Sequence, residues 1–329
     1  MQDTMVVIGS NSFSGAHFVD YMLRQGVKVI GISRSHELNP IFLPYKARQN
    51  ADFQFYQLDL NHDLKQIMGI ITHSQAGYVV NFAAQSMVAE SWQKPEDWFR
   101  TNVVANVMLH DQLRQCSFLK KYVHISTPEV YGPCSGLVKE NTLYNPSTPY
   151  AVSRAAADMS LMSFFRTYQF PVVFTRAANV YGAGQQLYRI IPRAVLFFLT
   201  GRKLQLHGGG VSVRSFIHIE DVAEGTWKAA QNGPPGEIYH LSTSRNISIR
   251  SLVEMIAAQM RIAFDEHVEI VGERLGKDSA YLLDNSKARE TLGWLEHVSL
   301  EDGIEETIAW VRNNLDVINS QPLDYIHKA

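Results

Sequence analysis

Short apolar runs of strand length alternate, through the first half of the chain, with stretches of helical periodicity. Met5–Ile8, Lys28–Ile32, Phe53–Leu58, Tyr78–Ala83, Tyr122–Ser126 and Val172–Arg176 read as strands. Between them Phe18, Met22 and Leu23 share one face of a first helix, and Val103, Val107 and Leu113 mark a longer one starting near Pro95. Another helix is expected from about Tyr150 to Tyr168. This alternation is the pattern of βαβ units, so the expected fold class is α/β with a doubly wound parallel sheet that binds ligands at the carboxyl ends of its strands. After Arg176 the texture changes: Gly182, Gly184, Gly201, Gly208–Gly210, Pro192, Pro234 and Pro235 cut the chain into short pieces. Helices return at about 220–231, 249–261, 285–292 and 300–314. The organisation expected is a first domain over residues 1–178 and a smaller, mixed second domain over 179–329, partly interleaved with the first. Residues from Asp316 onward are expected to form a weakly ordered tail.

Charge narrows the partners. The 329 residues carry 30 Lys and Arg against 32 Asp and Glu, a net charge of −2. That balance supplies no broad positive field for nucleic acid or an anionic membrane, so neither is an expected partner. Two cysteines, Cys116 and Cys134, make neither a disulfide framework nor a paired zinc motif, and the 12 histidines show no metal-ligand spacing. The longest apolar stretch, Ala194–Leu199, falls far short of the roughly 20 residues that span a bilayer. With no basic, apolar leader at the N-terminus, the expected compartment is the cytoplasm.

Gly9-Ser10-Asn11-Ser12-Phe13-Ser14-Gly15 directly follows the first strand and opens the first helix. There a glycine-rich turn lets backbone N–H groups approach a pyrophosphate at a helix N-terminus, which makes the first domain a Rossmann-type dinucleotide binder. Gly9, Asn11, Ser12, Phe13, Ser14 and Gly15 are the candidate contacts. The second strand ends Ile32-Ser33-Arg34-Ser35, with no acid before Glu37. A guanidinium grips a ribose phosphate where a carboxylate would repel it, so Arg34 favours NADP, with NAD as the alternative. Asp59 and Leu60, after the third strand, are expected near the adenine, and Ala83 and Ala84, after the fourth, beside the cofactor.

Ser126-Thr127-Pro128-Glu129-Val130-Tyr131-Gly132 follows the fifth strand, and Tyr150-Ala151-Val152-Ser153-Arg154 opens the next helix. A tyrosine and a cation four residues apart share a helix face, so the cation is expected to lower the phenol's pKa. Together with the glycine loop, this resembles the extended short-chain dehydrogenase/reductases that act on nucleotide sugars, and within them the NDP-sugar 4,6-dehydratases. Asn81-Phe82-Ala83-Ala84-Gln85-Ser86 is similar to the family's AAxS element, and Arg176-Ala177-Ala178-Asn179-Val180-Tyr181-Gly182 to its R-x-x-N-x-Y-G. Arg214–Val222 resembles its R-x-F-I-H-V-x-D-V segment. Arg274–Asp278 with Tyr281 resembles R-P-G-H-D-x-x-Y, and Leu292-Gly293-Trp294 the L-G-W that follows.

The resemblance implies a nucleotide-sugar substrate, NADP or NAD as cofactor, and a homodimer formed through the helices near Val103–Leu113 and Tyr150–Tyr168. It implies that Tyr150 takes a proton from the carbon-four hydroxyl, that Thr127 holds that hydroxyl, and that Glu129 removes the carbon-five proton before water leaves carbon six. Arg154 stands where the family has lysine, and Pro128 where dTDP-glucose enzymes have an aspartate acid. Ser86, Thr127, Asn179, Arg189, Arg214 and Arg274 are the implied substrate contacts. A GDP-sugar is favoured. The alternatives are a UDP-glucuronate decarboxylase or 4-epimerase of the same family, or a non-catalytic protein that binds NADP or a nucleotide sugar.

Overall fold

A computed structural model describes residues 4–47, 52–134, 136–272 and 282–328. Its centre is a seven-stranded parallel sheet. In chain order the first five strands are β1 (Thr4–Ile8), β2 (Lys28–Ser33), β3 (Phe53–Gln57), β4 (Tyr78–Asn81) and β5 (Lys121–Ile125). Across the sheet the order is Ile238–Leu241, Val172–Ala177, β5, β4, β1, β2, β3, so the direction of winding reverses between β1 and β4. Within β1 the two-residue period sorts the side chains. Met5 and Val7 face one layer with Phe18, Val19 and Met22 of α1 (Phe13–Arg24), while Val6 and Ile8 face the other with Ile67 and Ile71 of α2 (Leu64–Ser74). Both faces are buried, which is why these strands read as nearly continuous apolar runs.

The chain crosses the expected 178/179 boundary in both directions. The helix Ile219–Asn232 packs against α1, and Ile238–Leu241 closes the edge of the first sheet beside Val172–Ala177. The sequence hid that strand because its residues, Ile-Tyr-His-Leu, lie among glycines and prolines that signal loops. A separate core forms the second lobe, where Leu196, Leu252, Ile256, Ile304 and Val311 join the helices Ile190–Leu199, Ile249–Met260 and Leu300–Asn313. Among the described residues no helix is long and apolar enough to cross a membrane.

Two further expectations change. The helix expected from Pro95 is interrupted, with α-helical Pro95–Phe99 and Asn106–Leu113 flanking a wide π-helical turn over Arg100–Ala105. Such turns let a side chain leave the helical ladder, and Asn102 leaves it to bond the loop after β4. The segment after Asp316 is not loose: Ile318 is fully buried, and residues 323–328 run across both lobes through defined contacts.

Candidate active site

The loop after β1 is shaped by close approach. Gly9 sits at φ +84°, and a Cβ there would lie 2.6 Å from the Ala83 amide nitrogen. At Gly15 a Cβ would come within 2.2 Å of the Gly9 carbonyl, so both glycines are required for α1 to start tight against the sheet. Ser12, where a middle glycine would stand, caps α1: its Oγ accepts from the Gly15 amide at 3.1 Å and donates to the Gly9 carbonyl at 2.7 Å. The first-turn amides of Phe13 and Ser14 therefore lie at a helix N-terminus that ends at the switch point of the sheet. Asn11 ties this loop to the end of β2, its amide donating to the Ser35 and His36 carbonyls at 2.9 and 3.0 Å.

At the end of β2, Glu37 accepts from Tyr45 Oη at 3.0 Å and pairs with Lys46 at 2.6 Å. Arg34 reaches instead to the Lys328 carbonyl at 3.1 Å. Asp59 begins the turn before α2, accepting from the Asn61 amide at 2.8 Å, with Leu60 buried behind it. Ala83 is fixed by the Asn81 side chain, and Gln85 by Asn102, which bonds both its amide and its carbonyl and also Ser153 Oγ at 2.9 Å. Ser86, next along the chain, is exposed. The glycine cradle and the helix N-terminus at the switch point fit a dinucleotide.

The second cluster forms where β5 ends and the helix Pro149–Tyr168 begins. Thr148 caps that helix, accepting from the Ala151 amide at 3.1 Å, with Pro149 at its first position. Tyr150 and Thr127 are both nearly buried and hydrogen-bonded. Thr127 also caps the turn Pro128–Tyr131, taking the Glu129 amide at 3.3 Å, and the Glu129 carboxylate lies within electrostatic reach of the phenol. Burial raises the Tyr150 pKa. Arg154, the Thr127 hydrogen bond and Arg189 pull it back down, and Glu129 pushes it up. The expected lowering of the phenol pKa by Arg154 is thus outweighed by burial.

Arg154 itself turns inward, donating to the Ile125 carbonyl and lying 3.4 Å from His124 Nε2. Below it lies a buried network that sequence reasoning missed. Asp158 accepts from Ser126 Oγ at 2.6 Å and pairs with Arg176 at 2.8 Å, both ions being wholly inaccessible. Burial pushes the Asp158 carboxyl up, but Arg176, His124 and the Ser126 hydrogen bond together outweigh it and hold the carboxyl below the usual range. Arg176 heads a motif resembling the family's, and its structural role was not separable in sequence from a ligand contact.

The expected substrate contacts are spread over the second lobe. Arg189 is exposed at the start of the helix Ile190–Leu199, within electrostatic reach of Tyr150. Asn179 donates to the Ser215 carbonyl at 3.1 Å, and Arg214 to the Val213 carbonyl at 2.8 Å. Arg274, with the segment to Tyr281, lies outside the described residues. Sequence reasoning also missed a cavity of about 440 Å³ lined by Tyr188, Arg193, Phe197, Lys203 and His207 among others. The R-x-F-I-H and L-G-W motifs meet structurally: Trp294 Nε1 donates to the Asp221 carbonyl at 2.9 Å, and the Asp221 carboxylate caps the His297 amide.

The dinucleotide crevice and the Thr-x-Glu/Tyr cluster define an extended short-chain dehydrogenase/reductase of the nucleotide-sugar 4,6-dehydratase class. Residues 6–307 match the model of one family in that class, GDP-mannose 4,6 dehydratase, and the chain belongs to it. A dTDP-glucose 4,6-dehydratase from Streptomyces venezuelae, solved with NAD bound, superposes with a TM-score of 0.87 at 30% identity, over 95% of this chain and 98% of that one. A UDP-glucose 4-epimerase from Thermotoga maritima reaches 0.86 at 26% identity, over 95% and 99%, so backbone similarity alone does not separate the two reactions. A trifunctional UDP-glucose 4,6-dehydratase/UDP-4-keto-6-deoxy-D-glucose 3,5-epimerase/UDP-4-keto-L-rhamnose-reductase from Arabidopsis thaliana is 27% identical over 317 residues, which cover 94% of this chain. The chain spans about half the length of that relative, 47%.

Proposed function

We propose that the protein dehydrates a nucleotide hexose to its 4-keto-6-deoxy form. The observation that carries this is the hydrogen bond between Thr127 and the buried Tyr150 phenol, with the charges of Glu129, Arg154 and Arg189 acting on that phenol. A 4-epimerase only removes and returns hydrogen at carbon four, and needs no carboxylate there; elimination across carbons five and six does. The bound dinucleotide supplies a reversible hydride acceptor. Thr127 holds the carbon-four hydroxyl and Tyr150 accepts its proton, the positive field of Arg154 and Arg189 favouring the phenolate. Glu129 takes the carbon-five proton made acidic by the neighbouring ketone. Pro128 offers no proton, so the one on Glu129 is at hand for the hydroxyl leaving carbon six, and the carboxylate returns to its starting state. Arg154 acts on the phenol through its charge while its guanidinium is anchored on the Ile125 carbonyl.

The cofactor we infer is NADP, supported by Arg34 and by the engagement of Glu37 with Tyr45 and Lys46. A GDP-sugar is the first candidate substrate, in keeping with the family description, and the cavity beside Arg193, Lys203 and His207 is the proposed seat of the nucleotide. Val104 and Met108 on one helix, and Val152 and Met159 on another, are exposed apolar side chains, supporting a homodimer through those helices. Cys116 and Cys134 are free thiols, which fits the expected cytoplasm. The test is mass spectrometry of GDP-, dTDP- and UDP-hexoses and UDP-glucuronate after incubation with enzyme and dinucleotide. Loss of water supports dehydration; loss of carbon dioxide, or an isomer of unchanged mass, replaces it with decarboxylation or epimerisation.

A further inference from the structure

The segment 323–328 bridges both lobes, with only its first residue, Leu323, half-buried against the second lobe's core. On the second lobe, Arg193, which lines the 440 Å³ cavity, donates to the Leu323 carbonyl and pairs with Asp324 at 2.7 Å. Tyr325 packs edge-on against Tyr188, another lining residue, with ring centroids 5.7 Å apart. On the first lobe, His327 stacks on buried Trp98 at 5.0 Å and bonds Asp97 at 2.8 Å. Lys328 donates through Nζ to Ser35 Oγ at 3.3 Å.

The position of one atom gives this strap its meaning. The Lys328 carbonyl accepts from Arg34 Nη2 at 3.1 Å and from Gln85 Nε2 at 2.6 Å. Arg34 follows β2 and Gln85 follows β4, and β1 lies between those strands. A group touching both therefore sits over the end of β1, directly above the glycine loop at the switch point where a dinucleotide lies in this fold. The carbonyl oxygen takes two donors that a phosphate or ribose oxygen would otherwise use.

We propose that residues 323–328 form an autoinhibitory strap that occupies the dinucleotide crevice and caps the nucleotide cavity, and that the dinucleotide must displace it to bind. This rests on the dinucleotide-binding reading of the crevice. The strap consists of exposed or half-exposed side chains anchored on buried Ile318, so it can lift without unfolding either core. A competing strap lowers apparent affinity by the fraction of molecules in which it is closed.

The test is calorimetric titration of NADP+ and NAD+ into three forms: the full chain, a variant ending at Gln321, and the Tyr325→Ala/His327→Ala double variant, which leaves chain length intact. A strap closed about nine-tenths of the time predicts about tenfold tighter binding by the shortened form, with the double variant between. In the full chain, NADP+ should also change the fluorescence of Trp98 as His327 leaves its ring. Equal or weaker binding by both variants overturns the strap while leaving the crevice a dinucleotide site. Failure of all three forms to bind either dinucleotide overturns the cofactor reading and the strap with it.

Discussion

Replacing Asp158 by asparagine keeps the shape of the side chain and removes its charge, leaving Arg176 as a cation with no counter-ion among wholly buried groups. Breaking a buried pair from one side costs about 3–5 kcal/mol, because the surviving ion cannot be rehydrated. Here the lower end applies. Arg176 keeps the Tyr144 hydroxyl at 2.8 Å and the Asn141 carbonyl at 3.2 Å, and its guanidinium lies 4.6 Å from the centre of the Tyr131 ring. A loss of about 3 kcal/mol corresponds to a fall of roughly 4 °C in the unfolding midpoint for a chain of this size. Turnover should fall as well, since Asp158 holds Ser126, the residue before Thr127. The control is Glu220→Gln, which removes a carboxylate from the half-exposed Arg24–Glu220 pair and should cost less than about 1 kcal/mol. Thermal and urea unfolding of the two variants side by side decide the matter: comparable losses, or a loss under about 1 kcal/mol for Asp158→Asn, refute the reasoning.

Three further outcomes follow from the site and the core. Glu129→Gln should lower the rate of water loss by a factor of roughly 10²–10⁴, while bound dinucleotide is still reduced on adding substrate, seen as nicotinamide absorbance without product; equal loss of both half-reactions would contradict its role. Arg34→Ala should lower the ratio of NADP+ to NAD+ affinity by about tenfold, since only the former carries the extra phosphate while any loosening of the strap affects both alike; calorimetry checks this. Acid should destabilise the fold through buried neutral histidines. Burial lowers His240 to about 3 and holds His110 well below its ordinary value of 6.5, so the unfolded chain binds protons that the folded one refuses. Their contribution is complete above about pH 6.5 and is lost as pH falls below it, by about 1.4 kcal/mol at pH 5.5 for His240 with His110 adding in the same direction, measurable as a fall in urea midpoint.

Wherever one residue's period decided the structure, the fold was legible. β1 to β5 and the helices 149–168 and 249–260 fall within a few residues of the apolar pattern, because both sheet faces are buried and the pattern has no competitor. Ile238–Leu241 escaped because a four-residue strand paired only on one side carries too short a pattern to outweigh its flanking glycines and prolines. In the candidate site, Thr127, Glu129 and Tyr150 were legible since their spacing is local to one turn and one helix start. The inward turn of Arg154, the Asp158–Arg176 pair and the strap were not, for each depends on partners 18 to 294 residues away in the chain. The motif arginines show the same limit: Arg176 is a buried counter-ion, and only the fold distinguishes that from a ligand contact.

The proposed dehydration moves hydrogen from carbon four of the sugar to carbon six as water is eliminated. It is tested most directly with the nucleotide hexose the enzyme turns over, deuterated at carbon four, and mass spectrometry with NMR of the product. Dehydration by this route yields a 4-keto-6-deoxy sugar that retains the deuterium, now on carbon six. Product bearing deuterium still at carbon four, or water loss with the label absent from carbon six, would contradict it.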